Sequence, residues 1–229
     1  MAVLNRADRD LLALHVWFAA IAALVLLVPL GLAVGVRIGG LVLLYNLAVP
    51  VMAVSRGHSE WLRVYTLVLP LSVLMVVPDW FLSSELGTLR FPPDGLVDVG
   101  TVTAYMAGLW TIPLFLTTMV GRNVEQRQGR GPAYVAAVML GAVLFIGAEA
   151  FAHRVPMWEA VGVRTVNHVA LYIVPAELAL VVVVYAAYAR LRASSMAVRA
   201  AAAVPIMVFY LGLAVTSWFL LEEARLTFT

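Results

Sequence analysis

Long apolar runs separated by short polar segments divide the chain along its whole length. Each run is close to the roughly 20 residues that an α-helix needs to cross a bilayer. The second run is the shortest and contains Asn46 and Pro50, so six helices plus a re-entrant segment is the alternative. The pattern predicts an all-α fold over residues 1–229, a single transmembrane domain of seven helices at about 11–34, 37–54, 61–82, 99–120, 132–152, 166–190 and 197–221.

Composition agrees with a membrane location. Of the 229 residues, 63% are hydrophobic and only 12% are charged, and the mean hydropathy is +0.97. These values exclude an ordinary soluble domain and make the lipid bilayer the expected partner. The absence of cysteine excludes disulfides, thiolate catalysis and cysteine metal sites. Asp8 and Asp10 interrupt the positive segment of a signal peptide, so we expect the first run to be retained.

The arginines predict the orientation of the helices. The chain has no lysine, and with seven spans ten of its fifteen arginines fall on the side that carries the N-terminus. The positive-inside rule then places the N-terminus in the cytoplasm and the C-terminus outside. We expect a multi-pass protein of a bacterial plasma membrane. The basic charge balance needs no nucleic-acid partner, and the sequence leaves the oligomeric state open.

Three acidic residues lie in or beside apolar runs: Asp79, Glu149 and Glu177. A carboxyl group at membrane depth is costly and is by default a candidate functional group. Asp79 and Glu149 fall near the outer ends of the third and fifth predicted helices. Glu177 falls about eleven residues into the sixth predicted helix, roughly 16 Å deep at 1.5 Å per residue. We therefore predict that Glu177 is the most deeply buried acid, and that Asp79 is the one for which an interfacial position is the main alternative.

Aromatic residues accumulate in the same half of the predicted helices as the acids. An interfacial belt is the alternative interpretation for Trp80, Trp158 and Trp218, and core packing is the alternative for Trp110 and Phe145. The loop over residues 83–100 is rich in turn formers and is either a lid or an ordinary connector. The residues predicted to contact a substrate are Trp80, Tyr105, Trp110, Phe145, Trp158, Tyr172 and Trp218.

The sequence lacks the residues that several familiar kinds of functional site require. Without lysine there is no retinal Schiff base, and the nucleotide loop GxxxxGK[ST], the GxSxG elbow and the HExxH zinc pair are all missing. No clustered aspartates are present to hold the magnesium of a prenyl diphosphate, and the four histidines are scattered. We therefore expect no metal and no cofactor. A carboxyl group in an apolar setting keeps its proton at neutral pH and can act as a general acid, and aromatic faces stabilise cations.

Four short segments resemble the small integral-membrane terpenoid cyclases. They are Pro78-Asp79-Trp80, residues 108–115, Gly147-Ala148-Glu149 and Pro175-Ala176-Glu177. This family includes the fungal meroterpenoid and indole-diterpene cyclases, bacterial relatives and the heterodimeric-type lycopene cyclases. Leu178 stands where the lycopene cyclases carry a second acid, and Glu60-Trp61 reverses the early Trp-Glu order of the fungal enzymes. The resemblance implies acid-initiated cyclisation without a metal or redox cofactor.

The leading hypothesis is therefore a membrane terpenoid cyclase, an isomerase or lyase. It protonates an alkene or epoxide of a polyprenyl substrate, with Glu177, Glu149 or Asp79 as the acid. The first alternative is a small proton-coupled transporter or channel whose acids form a relay. The second is a structural subunit whose acids only hydrogen-bond between helices. Acids that converge on one enclosed apolar cavity would argue against the second alternative.

Overall fold

The computed structural model describes residues 5–224 as a mostly helical bundle. The prediction for the C-terminus itself falls outside these residues. In the described chain, six helical spans are long and apolar enough to cross a membrane: Arg6–Leu27, Val34–Arg56, Ser59–Glu85, Arg130–Ala152, Val174–Leu191 and Met196–Glu223. A multi-pass membrane protein is thus confirmed.

The described residues form ten α-helices. In chain order they are α1 Arg6–Leu27, α2 Val34–Arg56, α3 Ser59–Leu74, α4 Val76–Trp80, α5 Met106–Leu109, α6 Thr111–Gln128, α7 Arg130–Ala152, α8 Val174–Leu191, α9 Met196–Ala201 and α10 Ala203–Trp218. Two of the spans change helix type along their length. The span Ser59–Glu85 consists of α3, α4 and a π-helical turn at Phe81–Glu85, and the span Met196–Glu223 consists of α9, α10 and a second π-helical turn at Phe219–Glu223.

Three pairs of very short antiparallel strands lie between the helices. The strand β1 (Leu89–Arg90) pairs with β4 (Glu159–Ala160), β2 (Asp98–Val99) pairs with β3 (Val102–Thr103), and β5 (Thr165–Val166) pairs with β6 (Val169–Ala170). All six strands are in the segments that precede α5 and α8. These segments are therefore ordered by backbone pairing although they are not helical.

Two predicted helices begin later than their apolar runs. The fourth run was predicted to be helical from residue 99, but β2 and β3 occupy its start, with a turn at Gly100 in the left-handed region (φ 68°). The sixth was predicted to be helical from residue 166. Its start forms the β5–β6 hairpin, with Asn167 (φ 50°) and His168 (φ 67°) at the two central positions where such a tight turn needs positive φ.

The late start of α8 corrects the predicted depth of Glu177. The helix begins at Val174, with Pro175 in its first positions, where the missing N–H costs no helical hydrogen bond. Glu177 therefore lies in the first turn of α8, only about 5 Å along the axis at 1.5 Å per residue. The prediction that it lies about eleven residues into a helix was wrong.

The helix α6 differs from the other spans in charge. It has 18 residues, yet Arg122, Glu125 and Arg127 in its second half keep it out of the six apolar spans. It packs against α7 along the hairpin that Gly129 closes, and Gly121 lets the ring of Tyr185 approach closely, since a methyl group there would come within 2.9 Å of that ring. The helix is thus an integral part of the bundle.

Charged side chains tie the helices together at one end of the bundle. Glu60, in the first turn of α3, accepts hydrogen bonds from Arg63 (3.0 Å), from Arg122 of α6 (3.2 Å) and from the Tyr188 hydroxyl of α8. Asp8 of α1 pairs with Arg127 of α6. We call this set, with the bond between His58 and Asp10 at 2.8 Å, the ion-pair end.

At the other end, Asp94 anchors the loop that follows the π-helical turn. This buried side chain accepts hydrogen bonds from the backbone N–H of Leu96 and the hydroxyl of Thr103, both at 2.8 Å. Its carbonyl oxygen accepts the backbone N–H of Gly35 in α2 at 2.9 Å. A methyl group on Gly35 would come within 2.3 Å of the Asp94 carboxyl, so glycine is needed for this approach. The loop is consequently held against α2.

Replacement of Asp94 by alanine tests this anchor. Asp94→Ala removes both side-chain hydrogen bonds, and we expect it to lower the free energy of unfolding by about 2 kcal/mol, in line with ~1–3 kcal/mol for a buried hydrogen-bonding group that loses its partner. Thermal unfolding in detergent measures the change. The exposed Glu85→Ala in the same region is the control, and equal unfolding midpoints for the two variants would contradict the anchoring role.

Candidate functional site

The end of the bundle opposite the ion-pair end contains a cavity of about 310 Å³. Its walls come from α4 to α8, from α10 and from the segments that carry β1, β4 and β6. Most lining atoms are apolar, and the volume lies at the lower end of the range of about 300–1,000 Å³ that small-molecule sites occupy. An apolar chamber with a few polar groups is the usual form of a ligand site.

All three predicted acids line this cavity. Asp79 of α4 and Glu177 of α8 are buried, with 3% and 4% of their surface exposed, and Glu149 of α7 is half-buried. Asp79 therefore lies inside the protein and not on its surface, and Glu177 is not more buried than Asp79. Acids from three different helices therefore meet at one cavity. Acids that served only to hydrogen-bond between helices would not need to meet in this way.

Two of the three carboxyl groups accept a hydrogen bond from an indole. The Nε1–H of Trp110 donates to Asp79 Oδ2 at 3.2 Å, and the Nε1–H of Trp158 donates to Glu149 Oε1 at 2.7 Å. Both indoles also line the cavity. Because an indole N–H can only donate, each bond orients its carboxyl group as an acceptor.

Glu177 is held differently. Its Oε2 atom is buried and has no hydrogen-bond partner anywhere in residues 5–224. Buried polar atoms nearly always have a partner, so an exception calls for a reason. Because Glu177 lines the cavity and its Oε2 atom has no protein partner, its carboxyl group is available to a molecule that occupies the cavity.

Aromatic rings form a large part of the wall. The ring of Trp110 packs against Phe145 of α7 (centroids 5.4 Å apart) and against Tyr210 of α10 (5.5 Å). Trp158 and Tyr172 complete the four predicted aromatic residues that the structure brings together around the cavity. These rings lie beside the acids. Because aromatic faces attract cations, the rings are placed to stabilise a positive charge that forms in the cavity.

The other three predicted aromatic residues do not line the cavity. Trp80 is 38% exposed and packs against Gly100, while Trp218 is half-buried at the edge of the bundle. Tyr105 is buried and donates its hydroxyl to the carbonyl of Met157 at 3.0 Å. Burial raises the pKa of the Tyr105 phenol, so it stays a neutral donor at physiological pH. The geometry gives these residues no contact with a cavity ligand.

Some lining residues were not predicted from the sequence. Tyr210 contributes a buried ring from α10, Met106 lines the cavity from α5, and Thr88 and Phe91 line it from the loop that follows the π-helical turn. A tyrosine within a strongly apolar helix was the available signal for Tyr210. Its contact with Trp110, a hundred residues earlier, depends on packing that no local pattern reveals.

The loop after α4 covers the end of the cavity. Thr88, Leu89 and Phe91 line it, and the hydroxyls of Thr88 and Tyr172 lie 2.9 Å apart in a hydrogen bond. Leu89 pairs with Ala160 in the β1–β4 ladder, and Val161 donates its N–H to the carbonyl of Thr88 at 2.9 Å. This loop therefore lies over the end of the cavity, a position that suits both a lid and an ordinary connector. Nowhere in residues 5–224 do three or more His, Asp or Glu side chains come close enough to hold a metal ion.

Replacement of Trp110 by phenylalanine tests the indole bond to Asp79. Trp110→Phe keeps a ring but leaves Asp79 Oδ2 without its donor, and we expect the free energy of unfolding to fall by ~1–3 kcal/mol. Thermal unfolding in detergent measures it. Trp80→Phe, at a partly exposed ring, is the control and should change stability by less than ~0.5 kcal/mol; a Trp110 variant as stable as this control would refute the interpretation.

Comparison with known proteins identifies a family but no activity. No curated protein and no solved structure matches the chain. A family described as a domain of unknown function (DUF6989) matches residues 76–221. The matched segment contains every residue that lines the cavity, including all three acids. Because the match covers more than half of the chain, the protein belongs to the DUF6989 family.

Proposed function

We propose that the protein is a membrane terpenoid cyclase that protonates an alkene or epoxide of a polyprenyl substrate. The observation that carries the proposal is the convergence of Asp79, Glu149 and Glu177 on one apolar cavity whose wall is aromatic. Such a chamber excludes water, which would otherwise quench a carbocation. The resemblance of the segments around the three acids to membrane terpenoid cyclases supports the same reaction class.

Glu177 is the proposed proton donor. Its carboxyl group lines the cavity and its Oε2 atom has no hydrogen-bond partner in the described protein, so no protein acceptor holds the proton back from a bound substrate. With an alkene, the π electrons form a C–H bond to that proton, which leaves a carbocation on the more substituted carbon and a carboxylate on Glu177. With an epoxide, the oxygen takes the proton, and the C–O bond breaks as a neighbouring alkene attacks the carbon.

The reaction ends when a C–H bond next to the last cation loses its proton. Asp79 and Glu149 are the proposed acceptors, because their indole bonds already hold them in an accepting orientation. The net change in the substrate is an isomerisation in which one proton enters and one leaves, and the cycle closes when the acceptor acid returns its proton to the Glu177 carboxylate. Trp110, Phe145 and Tyr210 offer ring faces that stabilise the intermediate cations.

The geometry does not favour the alternative of a proton-coupled transporter. A relay needs access from both ends of the bundle. A second cavity, of about 100 Å³, lies near the ion-pair end between Glu125, Arg130 and Tyr185, and it shares no lining residue with the first. In the described chain, the space between the two is filled by packed side chains such as Leu114, Phe115 and Leu180, none of which is accessible to water.

A product assay tests the cyclase proposal. Membranes that contain the protein are given farnesol, geranylgeraniol or their terminal epoxides, and cyclic products are measured by mass spectrometry. We expect Glu177→Gln to lower turnover at least 100-fold, since general acids contribute about 10²–10⁴-fold. Asp79→Asn and Glu149→Gln should each lower it at least tenfold.

The isosteric amides keep the shape of the cavity, and each variant should elute and unfold like the native protein. Glu85→Gln, an exposed acid at the same end of the bundle, is the matched control and should retain full turnover. Wild-type turnover in all three cavity variants would refute the proposal.

We further propose seven spans with the N-terminus in the cytoplasm. The seventh is α6, whose 18 residues lie alongside α7 for most of their length. The arginine distribution supports the orientation, because Arg122, Arg127 and Arg130 lie at the ion-pair end of the bundle. By the positive-inside rule, the end with the excess of arginine faces the cytoplasm. This topology places the cavity in the outer half of the membrane.

Single cysteines test the span count, because the chain has none of its own. Three of the proposed spans, α6, α7 and α8, separate exposed Ser84 from exposed Ala193. We expect a membrane-impermeant maleimide to label Ser84→Cys in intact cells and Ala193→Cys only after permeabilisation. Labelling of both from the same side would show that α6 does not span, and the reverse pattern would show the opposite orientation.

A further inference from the structure

The cavity has an exposed side between α6 and α7. Of the lining residues in the described chain, only Ala148 and Phe151 are exposed, and both belong to α7. Ile112, Pro113 and Leu116 of α6 face the cavity and are half-buried. The lining residues from α4, α8 and α10 are all buried. Lining residues of the covering segments, such as Phe91 and Trp158, are half-buried as well, so the exposed residues of α7, beside the half-buried ones of α6, mark the least covered side of the cavity.

In residues 5–224, the outward face of this part of α7 is left uncovered. A methyl group on Gly147 would meet no atom within 4 Å. The neighbouring outward residues Val143 and Ile146 are also exposed. Ala148 lies four residues before the end of α7, about 6 Å along the axis. In a spanning helix, an apolar surface at that level faces lipid chains, so the exposed side opens towards the bilayer.

Access from the end of the bundle is restricted by contrast. The β1–β4 ladder crosses that end, and the ion pair between Arg90 and Glu159 joins its two strands. The hydrogen bond between Thr88 and Tyr172 lies beneath it. A ligand arriving from water has to separate these contacts, whereas a ligand arriving between α6 and α7 meets only apolar side chains.

The charge of the lining restricts the ligand. Three carboxyl groups line the cavity, and in residues 5–224 no arginine or histidine does. A diphosphate brought into such a chamber would lose its hydration without gaining a cationic partner, which is very costly. An uncharged hydrocarbon chain with a hydroxyl or epoxide head loses little by the same transfer.

We propose that an uncharged prenyl lipid dissolved in the bilayer enters the cavity laterally, between Leu116 of α6 and Ala148 of α7. This inference rests on the proposed function for the identity of the substrate, but it concerns binding and not turnover. The gap acts as the selectivity element: it admits flexible apolar chains from the membrane and leaves charged precursors outside.

Photolabelling in nanodiscs tests the route without requiring catalysis. The probe is farnesol carrying a diazirine on its chain, and the comparison probe is the corresponding farnesyl diphosphate. We expect the neutral probe to label peptides that contain cavity residues, and the diphosphate to label them at least tenfold less. Ala148→Trp should reduce labelling by the neutral probe at least tenfold, because the indole fills the gap.

Val143→Trp is the matched control, since Val143 is exposed on α7 and does not line the cavity; it should label like the native protein. Leu116→Trp fills the gap from α6 and provides a second variant if Ala148→Trp does not fold, as judged by its elution and unfolding midpoint. Native-level labelling in a folded gap variant, or equal labelling by the diphosphate, would overturn the inference.

The outcomes separate the inference from the proposed function. Glu177→Gln should still be labelled, because it alters only the proton donor. Labelling that depends on the gap, combined with no cyclic product from the native protein, would support lateral entry and refute the cyclase. Cyclic product that forms equally well in the gap variants would support the cyclase and refute lateral entry.

Discussion

The burial of carboxyl groups among hydrocarbon side chains is the constraint on which this structure depends. A polar group in such surroundings costs free energy unless it has partners. Trp110 and Trp158 supply those partners for Asp79 and Glu149, and their rings then serve as walls of the cavity. Glu177 keeps one buried oxygen without a partner. The surrounding helices maintain this costly arrangement, which is typical of a site where an unsatisfied group has a chemical use.

The two ends of the bundle have complementary structures. At the ion-pair end, Glu60 joins α3, α6 and α8 through Arg122 and Tyr188. Close contact there is reinforced by small residues, such as Gly121 of α6 against Tyr185 of α8. At the opposite end the same helices leave room for a cavity, and short β ladders rather than helices close it. One end is thus held by ion pairs and close packing, and the other end has space for a ligand.

Hydropathy predicted most spans well because crossing a bilayer is a local requirement on length and composition. It failed at the starts of the fourth and sixth helices, where β-branched valine and threonine are apolar enough to extend a run but pair as strands. The turn signals at Gly100 and at Asn167 and His168 were present in the sequence. Misplacing the start of α8 led directly to the wrong depth for Glu177, whereas the position of Glu149 in the last turn of α7 was predicted correctly.

The sequence by itself determined that the chain is a multi-pass membrane protein and that three acids lie in or beside its apolar runs, since both depend on neighbouring residues alone. Only the tertiary structure decided that these acids meet in one cavity, that Trp110 reaches Asp79, and that Tyr210 stands beside them while Trp80 does not. Those contacts join residues far apart in the chain. Their geometry depends on how helices pack and where backbone pairing replaces a helical turn, which no local pattern of hydrophobic and polar residues specifies.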